Sequence, residues 1–169
     1  MTRKEFIEIL GAKGYPYEIE GDKIIVTHKY GVNLKSLDMI PAGVHFNNKE
    51  DLDLGSLISL PPGVVFKNYG DVYMPNLMEL AQGVEFKNYG SVYLEDLTSL
   101  PPGVVFKNYG DVDLDDLTSL PPVVVFENGG DVNLNSLTGG GFKDWKGNIE
   151  GIDSKRLLNS MVSKGIFER

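Results

Sequence analysis

The chain has 169 residues, no cysteine, 20 glycines, 9 prolines and a formal net charge of −8. Without cysteine, disulfides and thiolate metal sites are excluded, and a hydrophobic content of 41% is too high for a disordered chain. Nowhere does the chain hold the ~18 consecutive apolar residues of a membrane span, and the N-terminus has no signal-like apolar run, so a soluble cytoplasmic protein is expected.

The first predicted element is a helix. Thr2-Arg3-Lys4-Glu5 has the pattern of a capping box, and Phe6, Ile7 and Leu10 give the following turns an apolar face. Tyr17–Glu20 and Lys23–Thr27 then read as a hairpin around Gly21-Asp22. Residues 1–31 are thus assigned to an N-terminal helix-hairpin cap with five Lys/Arg against five Asp/Glu.

From Val32 the chain falls into rows of 20 residues, beginning at Val32, Leu52, Val72, Val92, Val112 and Val132. Within this one chain, Leu37, Leu57, Leu77, Leu97, Leu117 and Leu137 form one apolar column, and Phe46, Phe66, Phe86, Phe106 and Phe126 another. Val104-x-Phe106 and Val112-x-Leu114 alternate apolar and variable residues, which predicts two strands per row, each with one face buried. Asn108-Tyr109-Gly110-Asp111 between them is turn chemistry, with Asn and Gly tolerating positive φ. Leu-x-x-Leu-Pro after the second strand suits a bent return segment, and Pro-Pro marks a corner because it cannot donate ladder hydrogen bonds. Coils of this kind bury their apolar faces only by stacking. At ~4.8 Å per row, six rows make a stack of about 30 Å. The column Asn48, Asn68, Asn88, Asn108 and Asn128 is expected to form an internal ladder. The fold class predicted is mainly β: a parallel, leucine-rich-repeat-like β-solenoid of five to six coils over residues 32–138.

The register dissolves at Gly139-Gly140-Gly141, and residues 139–169 read as a C-terminal loop and helical cap, with a helix from Ser154 to Lys164. The rows of residues 32–138 carry five Lys and fifteen Asp/Glu, whereas residues 139–169 carry six Lys/Arg and four Asp/Glu. The acidity therefore belongs to the solenoid. Such a surface repels nucleic acid, whose binding needs cations against phosphates, and favours basic partners.

The row "DLTSLPPGVVFKNYGDVDL" resembles the short leucine-rich-like repeats of uncharacterised bacteriophage and phage-associated bacterial proteins. The opening "MTRKEFIEIL…YEIEGDKIIVTHKYGVNL" and the ending "GNIEGIDSKRLLNSMVSKGIFER" resemble their caps. The resemblance implies a leucine-rich or pseudo-leucine-rich solenoid of phage or mobile-element origin, placed in the host cytoplasm, and it implies no activity. Leu97 and Leu117 stand where a standard leucine-rich repeat has Asn, which favours a straighter β-solenoid over a horseshoe.

No constellation for catalysis stands out. His28 and His45 lie in different elements without a second ligand at metal spacing. Gly139-Gly140-Gly141-Phe142-Lys143 lacks the phosphate-loop spacing, and Asp115-Asp116 and Glu95-Asp96 are adjacent residues of an outer turn rather than a separated acid pair. No cofactor, metal or membrane is expected. Two exposed features remain as candidate partner-binding surfaces. One is an acidic face of Asp71, Asp111, Asp113, Asp115, Asp116 and Asp131. The other is a tyrosine ladder of Tyr69, Tyr89 and Tyr109 beside Lys67, Lys87 and Lys107. Together they suggest a non-enzymatic protein-interaction module, a phage-encoded inhibitor of a basic host or defence protein. A carbohydrate-binding module and a structural or assembly component are the alternatives.

Overall fold

The computed structural model describes residues 1–121 and 124–137. Helix α1 (Arg3–Lys13) begins at a complete capping box: Thr2 Oγ1 accepts from the Glu5 N–H at 3.2 Å, and the Thr2 N–H donates to Glu5 Oε2 at 2.7 Å. The Thr2 N–H and the Thr2 hydroxyl, which donates to Glu5 Oε2 at 2.9 Å, together hold the Glu5 carboxyl below the usual carboxylate range. Gly14 ends the helix at φ 71°. Phe6 and Leu10 are fully buried in the same core as the repeats.

The hairpin of β1 (Tyr17–Glu20) and β2 (Lys23–Val26) is antiparallel. Its second strand is already a row of the solenoid. Ile24, Ile25 and Val26 pair in parallel with Val44, His45 and Phe46, 20 residues on. The stacking register thus starts ahead of Val32, inside the segment that the sequence assigns to a cap.

From there the chain is a β-solenoid of parallel strands stacked in register. The first sheet runs outward from the hairpin through Val44–Phe46, Val65–Phe66, Glu85–Phe86, Val104–Phe106 and Val124–Phe126. The second sheet stacks Val32–Asn33, Leu52–Asp53, Val72–Tyr73, Val92–Tyr93, Val112–Asp113 and Val132–Asn133. A small third sheet pairs Ser59–Leu60 with Glu79–Leu80 in the return segment. That segment turns through i→i+3 bonds, such as the Leu97 N–H to the Leu94 carbonyl at 3.1 Å. The free edge of the second sheet at Asn33 is met by a side chain: its N–H donates to Tyr15 Oη at 2.9 Å.

Every inward column is buried. The five phenylalanines from Phe46 to Phe126 are fully buried and stack with centroids 4.8–5.5 Å apart. The asparagine column is buried beside them. The N–H and Nδ2 of Asn48 both donate to Asn68 Oδ1, at 3.2 and 3.1 Å, and the pattern repeats from Asn68 to Asn88 and from Asn88 to Asn108. The Oδ1 of Asn68, Asn88 and Asn108 each answers two donors of the row before it, which offsets the penalty of burying those amides, while Asn48 Oδ1 and the Nδ2 of Asn108 and Asn128 are buried without a partner among the described residues. The ladder thins at its far end, where the Asn108 N–H reaches Asn128 Oδ1 at 3.5 Å.

One expectation from sequence is corrected. Positive φ does not fall in the Asn-x-Gly-Asp turn but at the corner that carries Pro-Ala-Gly, Pro-Pro-Gly or Ala-Gln-Gly, where Gly43, Gly63, Gly83 and Gly103 have φ of 72–83°. The turn glycines serve close approach instead. A Cβ on Gly110 would lie 2.6 Å from the carbonyl carbon of Gly90, so two rows could not stack there with side chains present. The predicted helix Ser154–Lys164 and the glycine run Gly139-Gly140-Gly141 lie outside the described residues.

Leu97 lies in the middle of the stack with no exposed surface. Leu97→Ala should cost ~2–5 kcal/mol through the cavity left between two rows. Leu97→Asp should cost more, because the carboxyl finds no partner there. Urea unfolding followed by circular dichroism checks both, and a parent-like midpoint for Leu97→Asp contradicts the inward column.

Candidate functional site

The tyrosine ladder and the first acidic column occupy the same ridge, the turn that joins the two main sheets. Each tyrosine is held by its neighbour's backbone. The N–H groups of Tyr69, Tyr89 and Tyr109 donate to the carbonyls of Asn48, Asn68 and Asn88 at 2.8–3.0 Å. With the backbone in register, the rings stack nearly parallel, 4.6 Å between Tyr69 and Tyr89 and 4.9 Å between Tyr89 and Tyr109. Tyr73 and Tyr93 form a second stack at 4.9 Å on the outer face of the second sheet. There the Tyr73 phenol donates to Asp71 Oδ2 at 3.1 Å, and burial first, then that bond, pushes its pKa up to about 12.

The ring faces in these ladders are turned toward one another. What they offer outward is edges and hydroxyls. A sugar platform needs the broad ring face, so the long ladder is poorly built for carbohydrate except at an open end.

The Asp71–Asp131 column has a structural use that its sequence does not announce. Asp51 Oδ1 accepts the Asp71 N–H at 2.9 Å, and Asp71 Oδ1 accepts the Ser91 N–H at 2.7 Å. Ser91 Oγ accepts the Asp111 N–H at 3.1 Å, and Asp111 Oδ1 accepts the Asp131 N–H at 2.8 Å. One oxygen of Asp71 and one of Asp111 are therefore engaged in holding rows together. Ser91 does the same work with a hydroxyl, so this column needs an acceptor rather than a charge.

The second acidic group is of another kind. Asp113 sits on the outer face of the second sheet, with Asp115 and Asp116 in the turn that follows and Glu95-Asp96 one row before. The Asp116 N–H donates to the Glu95 carbonyl at 3.0 Å, which fixes the two acidic turns against each other. Partial burial, then repulsion from Asp115, raises the Asp113 pKa. Burial likewise raises that of Glu95, with Asp113, Asp96 and Asp115 adding to it. Glu95 Oε2 is buried without a hydrogen-bond partner among the described residues. The donors to these carboxylates are uncharged amides, Asn133 Nδ2 to Asp113 and Asp115 at 3.1 and 3.3 Å, and Asn135 Nδ2 to Asp115 at 2.6 Å. The three ion pairs among the described residues are Lys4–Glu8, Lys87–Glu85 and Lys107–Glu127, all away from this group.

Among the described residues, no three His, Cys, Asp or Glu side chains are placed to hold a metal ion, and no helix is long and apolar enough to cross a membrane. His28 and His45 are both half-buried. His28 Nδ1 lies 3.2 Å from the Tyr30 carbonyl, and burial, then Lys23 and Lys67, lower the His45 pKa.

Because Asp113 and Glu95 bind protons more tightly in the folded chain than in the unfolded one, their ionisation destabilises the fold. Their contribution is most favourable below the ordinary carboxylate range and is lost as the pH rises through the raised values. Asp113→Asn should therefore stabilise the chain at pH 7, by less than about 1 kcal/mol because the group is largely solvated. The gain should fade on acidification. Urea midpoints of parent and variant from pH 7 downward check this, and a gain that grows toward acid contradicts the assignment. No family model, curated protein or solved structure matches the chain.

Proposed function

We propose that this chain is a non-enzymatic interaction solenoid whose acidic face binds a basic surface on another protein. The observation that carries the reading is the group Glu95, Asp96, Asp113, Asp115 and Asp116. It concentrates five carboxylates on two adjacent rows, and two of them are held above their ordinary pKa by burial and by one another. A cation brought against them relieves a repulsion that the fold leaves standing, so its binding gains more than at an isolated surface carboxylate.

The resemblance to phage repeats supports a narrower form of the proposal, a phage-encoded inhibitor that occupies the nucleic-acid site of a basic host or defence protein. The acidic rows carry a net charge of −10 between residues 32 and 138. Over about 30 Å this is roughly one charge per 3 Å, against one per ~1.7 Å for duplex DNA. The electrostatic likeness to a nucleic acid is partial, and the fit of the surface has to supply the rest. A purely structural or assembly role calls for no charge dependence at all.

The test uses a lysine- and arginine-rich peptide titrated against the parent chain and against Asp113→Lys/Asp115→Lys/Asp116→Lys, at two salt concentrations, with an uncharged peptide as control. The parent should bind the basic peptide and lose affinity with salt. The variant should bind at least about ten-fold more weakly, one such factor corresponding to ~1.4 kcal/mol, while keeping the parent's circular dichroism. Equal, salt-insensitive binding by both proteins removes the acidic face as the site.

A further inference from the structure

The tyrosine ladder ends differently at its two ends. The residue at the ladder position before Tyr69 is Lys49, and its ammonium lies 4.0 Å from the Tyr69 ring centroid. A cation thus covers the first end face of the stack. The residue after Tyr109 is Gly129. Its N–H keeps the register by donating to the Asn108 carbonyl at 2.8 Å. The backbone there is drawn in so far that a Cβ would lie 2.7 Å from the Tyr109 carbonyl oxygen. Among the described residues no side chain follows the last ring. Tyr109 has one face on Tyr89, and beyond it opens a cavity of about 420 Å³ lined by Lys107, Asn108, Tyr109, Glu127, Asn128 and Gly129. The difference is visible in exposure: 46% for Tyr69 and 71% for Tyr109.

We propose that the open face of Tyr109 is a site for one arginine side chain of the basic partner. The guanidinium stacks on the ring as the Lys49 ammonium does on Tyr69, with its edge toward the Glu127 carboxylate. The inference rests on the basic-partner reading above and names a contact within it. Three observations select this occupant. The chain itself places a cation on the equivalent face at the other end of the same stack. Glu127 replaces the lysines of the preceding rows, Lys67, Lys87 and Lys107, so the ridge changes sign at the row where the ladder stops. Glu127, which engages Lys107 through Oε2 at 2.8 Å, places a carboxylate in the lining of this cavity. Arginine is preferred to lysine because its flat guanidinium covers an aromatic face while its edge donates to a carboxylate.

The experiment compares two peptides of equal length and charge, one with arginines and one with lysines spaced by glycine. Each is titrated against the full chain and against Tyr109→Ala, Tyr109→Phe and Glu127→Gln, with the tyrosine ring protons followed by NMR. The parent should prefer the arginine peptide by about two- to five-fold, the range expected of a cation over an exposed ring. Tyr109→Ala should abolish that preference without weakening the lysine peptide further. Tyr109→Phe should retain it, Glu127→Gln should reduce it, and the Tyr109 ring signals should move on binding. Lys49→Ala should open the first end face and let a further arginine stack on Tyr69. Equal affinity of the parent for the two peptides, with both lost in the Asp113/Asp115/Asp116 variant, overturns this site and leaves the acidic-face reading standing. Failure of either peptide to bind overturns both. Tyr109 ring signals unmoved at saturation also overturn the site.

Discussion

Stacking in strict 20-residue register is the constraint on which everything else depends. It places each side chain on its own counterpart, about one strand spacing away, so every column must be chemically compatible with itself. Phenylalanine satisfies this by stacking, leucine by packing, and asparagine because one amide both donates and accepts. Charge does not. Two like charges ~4.8 Å apart repel by about 1 kcal/mol even with the screening of bulk water, and by several times that near a protein surface. The outward columns reflect this in part. Asp53 and Asp113 are separated by Tyr73 and Tyr93, and Asp71 and Asp111 by Ser91, whereas Lys67, Lys87 and Lys107 follow one another before that column turns to Glu127.

Against that background the stacked pair of turns at Glu95-Asp96 and Asp115-Asp116 is an exception. Here carboxylates follow carboxylates in adjacent rows, and burial first, then repulsion from neighbouring carboxylates, raises the proton affinities of Glu95 and Asp113. Stability alone offers no reason for the arrangement, since the equivalent turns elsewhere use Ser36, Ser56 and Asn76. The Asp51–Asp71–Ser91–Asp111–Asp131 column is different, because its oxygens accept backbone N–H groups and a hydroxyl does the same work. The two acidic groups are similar in sequence, yet hydrogen bonding separates a structural acceptor from an electrostatic liability.

The inward columns were legible because burial repeats the same apolar residue at the same place. Leu97, Phe106 and Asn108 could be assigned from their spacing alone. The start of the stack was not, since Lys23–Val26 shares only the apolar character of Ile24 and Val26 with Val44 and Phe46. The hairpin turn at Gly21-Asp22 also looks like a local element. The role of the turn glycines is not legible in the sequence for a simple reason. Glycine is required both where φ is positive and where two backbones touch, and a sequence does not say which. The candidate residues Tyr69, Tyr89 and Tyr109 were visible as a column. What sequence could not show is that their faces are turned on one another, which leaves the ring edges to solvent and concentrates the binding capacity of the ladder at its ends.

That last point bears on how a repetitive surface can recognise anything. A perfect ladder presents the same chemistry at every row and so gives a partner no reason to prefer one register over another. Specificity has to come from places where the repeat breaks. In this chain the breaks cluster toward the later rows. The ladder of rings stops at Gly129, the lysine column changes sign at Glu127, and the carboxylates meet without an intervening neutral row between Glu95 and Asp115. A basic partner engaging these features together would be fixed along the solenoid axis by the ring end and held on its flank by the acids. The regular rows before them would act mainly as the scaffold that keeps those breaks at fixed separations.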